Sequence, residues 1–169
     1  EYHKKSLDTR LVVYEKTPNH LSIVDSYNNL GNAYNNIGDY KLAIEYHKKA
    51  LNIRLVVYEK NSNHLSIADS YNNLGYAYHN KGENELAIEY HKKALDIKLV
   101  AYEKKPNHPD IATSYNNLGS SYTGKGEYKL AIECHKKALD IRLVAYENTP
   151  NNLFIPDSYN NLGNAYGNI

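Results

Sequence analysis

The hexapeptide Ser-Tyr-Asn-Asn-Leu-Gly occurs four times, beginning at Ser26, Ser70, Ser114 and Ser158, with a constant step of 44 residues. Glu-Tyr-His-Lys-Lys keeps the same step from Glu1 to Glu45 to Glu89 and returns as Glu-Cys-His-Lys-Lys at Glu133. A chain that repeats itself end to end is not organised around one closed core. Each unit buries its apolar face on the next, so residues 1–169 are expected to form a single repeat array.

The pattern inside one repeat is helical. Ile23, Tyr27, Leu30, Tyr34 and Ile37 follow alternating steps of 4 and 3, one stripe of an amphipathic helix, with Asp25, Asn28, Asn32, Asn35 and Asn36 opposite. Gly38 ends this helix A. Helix B follows from Tyr40, placing Ala43, Ile44, His47, Ala50, Leu51, Leu55 and Tyr58 on one broad face and Lys41, Glu45, Lys48, Lys49 and Asn52 on the other. Asn61-Ser62-Asn63-His64 is a loop of turn formers, and its counterpart around Pro106 puts Pro109 at a first helical position. The expected segments are about 1–16, 21–37, 40–60, 65–81, 84–104, 109–125, 128–148 and 153–169, in a fold of about seven helices.

Composition narrows the functional classes. Twenty basic residues nearly cancel 19 acidic ones, for a net charge of +1, so no global field favours nucleic acid or an anionic membrane. One cysteine, Cys134, stands where the other repeats carry Tyr2, Tyr46 and Tyr90, so no disulfide framework can form within the chain. No apolar run is long enough to span a bilayer, and there is no secretory segment or Asn-x-Ser/Thr acceptor, so a cytoplasmic setting is expected. The lack of any methionine, a first one included, is what a piece of a longer array would show.

A 44-residue period also lies near HEAT, armadillo and WD40 lengths, so the residues must discriminate. Tyr27-x-x-Leu30-Gly31-x-x-Tyr34, then Gly38, then Ala43-x-x-x-His47-x-x-Ala50, resembles the tetratricopeptide repeat across essentially the whole chain. Ala50-Leu51-Asn52-Ile53-Arg54 and His108-Pro109-Asp110-Ile111-Ala112 are similar to segments of the longer repeats of kinesin light chains. Two departures stand out: tyrosine replaces the usual tryptophan at Tyr27, and Leu55 stands where a proline commonly ends the second helix, which lets helix B run further. The resemblance implies an all-α, right-handed superhelical solenoid of antiparallel hairpins. Gly31 and Ala43 would be small where the axes cross, with Leu30, Tyr34 and His47 filling the space beside them.

The resemblance also implies that helix A lines the concave face and that peptides lie along it. That face carries Asn28/Asn29, Asn72/Asn73, Asn116/Asn117 and Asn160/Asn161. A primary amide offers donors and an acceptor, so a row of them can satisfy the backbone of an extended peptide whatever its side chains are. The chain is rich in asparagine elsewhere too, at Asn52, Asn61, Asn84 and Asn107, so compositional bias is the competing explanation. Positions that differ between repeats, Asn32/Tyr76/Ser120/Asn164 and Asn35/His79/Thr123/Gly167, would set side-chain preference.

Arg54 projects from the apolar face of helix B, where a charge needs a partner. Fifteen residues after Arg10, Arg54 and Arg142 stand Asp25, Asp69 and Asp157, which predicts three ion pairs between successive hairpins; Lys98 meets Thr113 instead. His3, His47, His91 and His135 recur one per repeat, too far apart to converge on one metal ion, and no cofactor is implied. No nucleophile or phosphate-cradling loop is assembled at a unique place, so no catalytic residues are assigned and the chain is read as a non-enzyme. Helical-hairpin arrays can bind RNA, but here the inner face is amide-rich and Lys48 and Lys49 lie outside.

The expected function is a scaffold that binds a protein or peptide partner along helix A, with no nucleic acid or membrane partner. The alternative is an architectural rod. Val12, Val56, Val100 and Val144 form an apolar row on the outer surface, and head-to-tail stacking is expected where Tyr159, Leu162 and Tyr166 of one molecule meet the opening helix B of another.

Overall fold

The computed structural model describes residues 1–149 and 152–168. Among them are eight helices: α1 (Tyr2–Val13), α2 (Leu21–Asn36), α3 (Tyr40–Val57), α4 (Leu65–Asn80), α5 (Asn84–Ala101), α6 (Pro109–Lys125), α7 (Tyr128–Ala145) and α8 (Phe154–Tyr166). The count of about seven is one too low, although every expected segment has its helix. The even-numbered helices are the A type and the odd-numbered ones the B type.

Each B helix stops three residues before its expected end. Proline is not what ends it. Tyr58 leaves helical geometry at φ −104°, Glu59 donates to Val56 and Asn61 to Tyr58, so the last residues form tight turns rather than a further helical turn. The departure carries the Tyr58 ring flat onto His64, with centroids 3.6 Å apart, and Tyr14/His20 and Tyr102/His108 do the same. Those histidines then cap the next A helix: Nδ1 of His20, His64 and His108 accepts from the backbone N–H of Ser22, Ser66 and Asp110. Pro109 is the first residue of α6, as expected.

The A-to-B turn is made by glycine in the left-handed region, at φ +80° for Gly38 and similarly at Gly82 and Gly126. Asp39 then donates back to Tyr34 and accepts from the Leu42 N–H, closing one helix while opening the next.

Each helix packs on its sequence neighbours, and the core is a stack of thin layers between them. One layer gathers Leu7, Ile23, Val24, Leu30, Ala50 and Ile53 under Tyr14, Tyr27, Tyr34 and Tyr46. The next uses Ile67, Leu74, Tyr78, Ala87 and Ile97, and the third Ile111, Leu118, Tyr122, Ile132 and Cys134. Burial pushes the Cys134 thiol up to about 11, in keeping with a packing role. The small residue that lets each hairpin close is Gly31, Gly75 or Gly119, and what lies against it is the ring of His47, His91 or His135.

Lysines seal the junctions from outside. Lys4, Lys48, Lys92 and Lys136 each lie over a tyrosine of the following A helix, at 5.5 to 5.7 Å from the ring centres of Tyr34, Tyr78, Tyr122 and Tyr166. The expected Glu45–Lys49 pair forms at 2.7 Å.

Successive A helices also touch, α4 with α6 and α6 with α8, while no comparable contact joins α3 to α5 or α5 to α7. A stack whose A helices are closer together than its B helices must curve toward the A side. The even-numbered helices therefore line the inner face.

Candidate peptide-binding surface

Three arginines fix one A helix to the preceding B helix, and they do so differently from the sequence expectation. Arg54 Nη1 donates to the Ser66 carbonyl at 2.7 Å and to Ser70 Oγ at 2.8 Å. Arg10 makes the same two bonds to Ser22 and Ser26, and Arg142 to Phe154 and Ser158. Among the described residues no ion pair joins Arg10 to Asp25, Arg54 to Asp69 or Arg142 to Asp157. The serine lies one residue beyond the aspartate, about 100° further round the helix, and it is the serine Oγ that the guanidinium reaches. The sequence carried this signal, since that serine opens all four copies of the marker.

The α5/α6 junction lacks the arginine. Lys98 is buried there, and the tie is made by Tyr102, whose hydroxyl donates to Asp110 Oδ2 at 2.8 Å. Burial first and the Asp110 carboxylate second push the Tyr102 hydroxyl up to about 12, so it remains a donor at any ordinary pH.

With the helices so anchored, the paired asparagines divide into two roles. Asn28 and Asn72 turn partly inward, and their Oδ1 atoms lie 3.4 Å from Nδ1 of His47 and His91. Since the amide oxygen can only accept, each imidazole is the donor. Burial holds these rings down to about 4, so both are neutral near pH 7. Asn116 behaves differently: its Oδ1 accepts from Asn161 Nδ2 of the next repeat at 2.8 Å, and His135 Nδ1 has no partner among the described residues. The bond spans α6 and α8, one rung of an amide row across the inner face.

The side chains of Asn29, Asn73, Asn117 and Asn160 make no hydrogen bond among the described residues. Asn29 and Asn160 are exposed, while Asn73 and Asn117 are half-buried. Asn32 and Tyr76 are exposed beside them, whereas Asn35, expected on the polar side, is buried and accepts from Asn80 Nδ2 at 3.5 Å. A cavity of about 440 Å³ at the α6/α8 end is lined by Asn116, Asn160, Asn161, Asp157, Arg142 and Phe154. Of the paired asparagines, Asn28, Asn72, Asn116 and Asn161 are thus already engaged within the protein.

Tyr27, Leu30, Tyr34, Ala43, His47 and Ala50 are interior or interfacial, in keeping with structural roles. Asp69 is exposed and forms no ion pair with Arg54 among the described residues. Sequence reasoning did not find the Tyr-to-His stacks, although Tyr14, Tyr58 and Tyr102 recur six residues before His20, His64 and His108.

No curated protein matches the sequence. Among solved structures the chain is similar to BtubC (BKLC) from P. vanneervenii, with a TM-score of 0.72 and 24% identity over 87% of this chain and 56% of that one. It is also similar to two structures of a kinesin-light-chain-type protein of Podosopora anserina with nearly identical TPR-like repeats. Their TM-scores are 0.75 and 0.73 at 23% identity, covering 96% of this chain and 74% and 75% of theirs. The chain thus spans little more than half the length of BtubC, and these likenesses establish the solenoid fold. The sequence profile of the tetratricopeptide repeat matches residues 22–99 and again residues 66–143, two windows offset by one repeat. Matched over most of its length, the chain belongs to the tetratricopeptide repeat family.

Proposed function

We propose that the inner face of α2, α4, α6 and α8 binds an extended peptide segment of another protein, making the chain a non-enzymatic adaptor that works in the cytoplasm. The observation that carries this reading is the amide row: the Asn161–Asn116 bond at 2.8 Å joins neighbouring repeats while Asn29, Asn73 and Asn117 keep their side-chain donors and acceptors unused. An unused amide can bind a peptide N–H and C=O together, which water can do as well but a lysine or carboxylate cannot. Helices pack roughly 8 to 10 Å apart and an extended chain rises about 3.3 Å per residue, so each rung meets the peptide every few residues. The face offers amides rather than a cationic stripe, which disfavours a nucleic acid backbone.

The test is selection from a random peptide library against the chain and its Asn29, Asn73 and Asn117→Ala triple variant, with helicity matched by circular dichroism. Peptides that bind the parent and are lost with the variant support the ladder. Equal binding, or none, refutes it.

A second reading, head-to-tail self-association, draws on α1 and α8. Tyr166 is about half exposed, whereas its counterparts Tyr78 and Tyr122 in the interior of the stack are buried; Tyr159 is likewise about half exposed where Tyr71 and Tyr115 are half-buried, and Tyr2 and Val13 of α1 are exposed as well. In solution such faces can stack on a second copy of the chain. Sedimentation velocity across a concentration series, with Tyr159→Lys as control, decides the matter.

A further inference from the structure

The asparagine pairs are the same in sequence in every repeat, but one place on the inner face is not. Between α4, α6, α7 and α8 lies a cavity of about 270 Å³ lined by His79, Ser120, Thr123, Gly124, His135, Asn161 and Asn164. Short side chains open it: Ser120 corresponds to Tyr76 one repeat earlier, Thr123 to His79, and Gly124 to Asn80.

The site is built rather than merely vacant of bulk. A Cβ on Gly124 would lie 2.6 Å from Asn84 Oδ1, so glycine there admits the Asn84 amide. Asn84 in turn holds His79, whose Nδ1 donates to Asn84 Oδ1 at 3.0 Å while Asn84 Nδ2 points to the Gly82 carbonyl. In the neutral ring with its proton on Nδ1, the other nitrogen of His79, Nε2, is an acceptor. Across from it Ser120 and Thr123 donate their hydroxyl hydrogens to the carbonyls of Asn116 and Gly119, both at 3.1 Å, leaving oxygen lone pairs for the cavity. Below them sits His135, 3% exposed, whose Nδ1 has no partner because Asn116 has turned to Asn161.

The lining is therefore rich in hydrogen-bond acceptors, with the amide side chains of Asn161, one N–H of which goes to Asn116, and of Asn164 beside them, and among the described residues it holds no carboxylate, lysine or arginine. A carboxylate ligand would face lone pairs. A lysine or arginine would surrender water without gaining a counter-charge. A primary amide has two N–H donors for the acceptors and one oxygen for the rim, and carries no charge to desolvate. We propose that this cavity is a side-chain subsite for an asparagine or glutamine of the bound peptide, and that it fixes the register of the peptide on the amide row. The inference rests on the peptide-binding reading given above.

The experiment is deep sequencing of a selected random dodecapeptide library against the parent, the Ser120→Ala/Thr123→Val double variant and the Gly124→Ala variant. The triple ladder variant is carried alongside, and all are matched for helicity. The expected result is one peptide position enriched at least about fivefold in Asn and Gln on the parent. That enrichment falls to the input frequency on the double variant and on Gly124→Ala, while ladder-dependent binding persists on both. Ladder-dependent peptides with no amide position, with Asp, Glu, Lys or Arg at it, or with enrichment unchanged in the two variants, overturn the subsite and leave the adaptor reading standing. Peptides that bind without dependence on the ladder, or no binders at all, overturn both.

Discussion

The imidazole of His47 occupies the space in which a side chain at Gly31 would begin: a Cβ on Gly31 would lie 2.5 Å from Cε1 and 2.7 Å from both ring nitrogens. The same relationship joins Gly75 to His91 and Gly119 to His135. A ring atom of a buried histidine cannot withdraw as the tip of a flexible chain can, so each hairpin is closed by a contact that tolerates hydrogen and nothing larger.

Substitution of that glycine is therefore costly even by one methyl group. Gly75→Ala should destabilise the array by about 1 to 3 kcal/mol through overpacking. Gly163, on whose Cβ nothing impinges, is the control: Gly163→Ala should be neutral or stabilising by up to about 1 kcal/mol, the usual helical preference. Urea denaturation of both variants measures the contrast, and equal destabilisation would remove the histidine contact as the cause.

Acid should loosen the hairpins before the carboxylates titrate. Burial lowers His47 and His91 to about 4 from an ordinary 6.5, and lowers His135 as well. Below 6.5 the unfolded chain takes up protons that the folded one refuses. The stabilisation is thus complete above pH 6.5 and is lost as pH falls toward 4, by up to about 1.4 kcal/mol per pH unit for each such histidine. Urea midpoints at pH 7.0, 6.0 and 5.0 should decline, and the slope should be shallower in His91→Gln; a flat profile in the parent contradicts the burial.

The clasp of Arg54 on Ser66 and Ser70 separates a hydrogen-bonded arginine from an ion-paired one. Arg54→Ala should cost about 1.5 to 3 kcal/mol, as for hydrogen bonds to charged groups, and Ser70→Ala a smaller part of that. Asp69→Asn should stay within about 0.5 kcal/mol of the parent. Thermal unfolding of the three variants checks the order, and a large effect at Asp69 would restore the ion pair.

His64 both stacks on Tyr58 and caps α4 through Nδ1. His64→Ala should lose about 0.5 to 2 kcal/mol from the cap together with the stacking contribution. His64→Asn should recover the capping part, because asparagine already serves at the corresponding Asn152, whose Oδ1 accepts from the Phe154 N–H at 2.8 Å. Hydrogen exchange at Ser66, the capped amide, reads this directly: protection restored by asparagine and not by alanine.

The sequence by itself determined the helices, their order and their stacking. A 44-residue period whose stripe alternates between steps of 3 and 4 permits only amphipathic helices burying on their neighbours, and Gly38 and Pro109 mark boundaries through backbone constraints that act locally. It also placed the asparagine pairs on one face, since side-chain direction along a helix follows from numbering alone. Only the tertiary structure decided who meets whom between helices. A one-residue difference in phase gave Arg54 to Ser70 and not to Asp69, and the crossing distance made Gly31 a seat for His47. The turn at Tyr58 ended helix B where the helical stripe would have continued it. The same holds for the inner face. That Asn28 answers to His47 while Asn116 answers to Asn161, leaving His135 Nδ1 without a partner among the described residues, is decided by packing between repeats that are nearly identical in sequence.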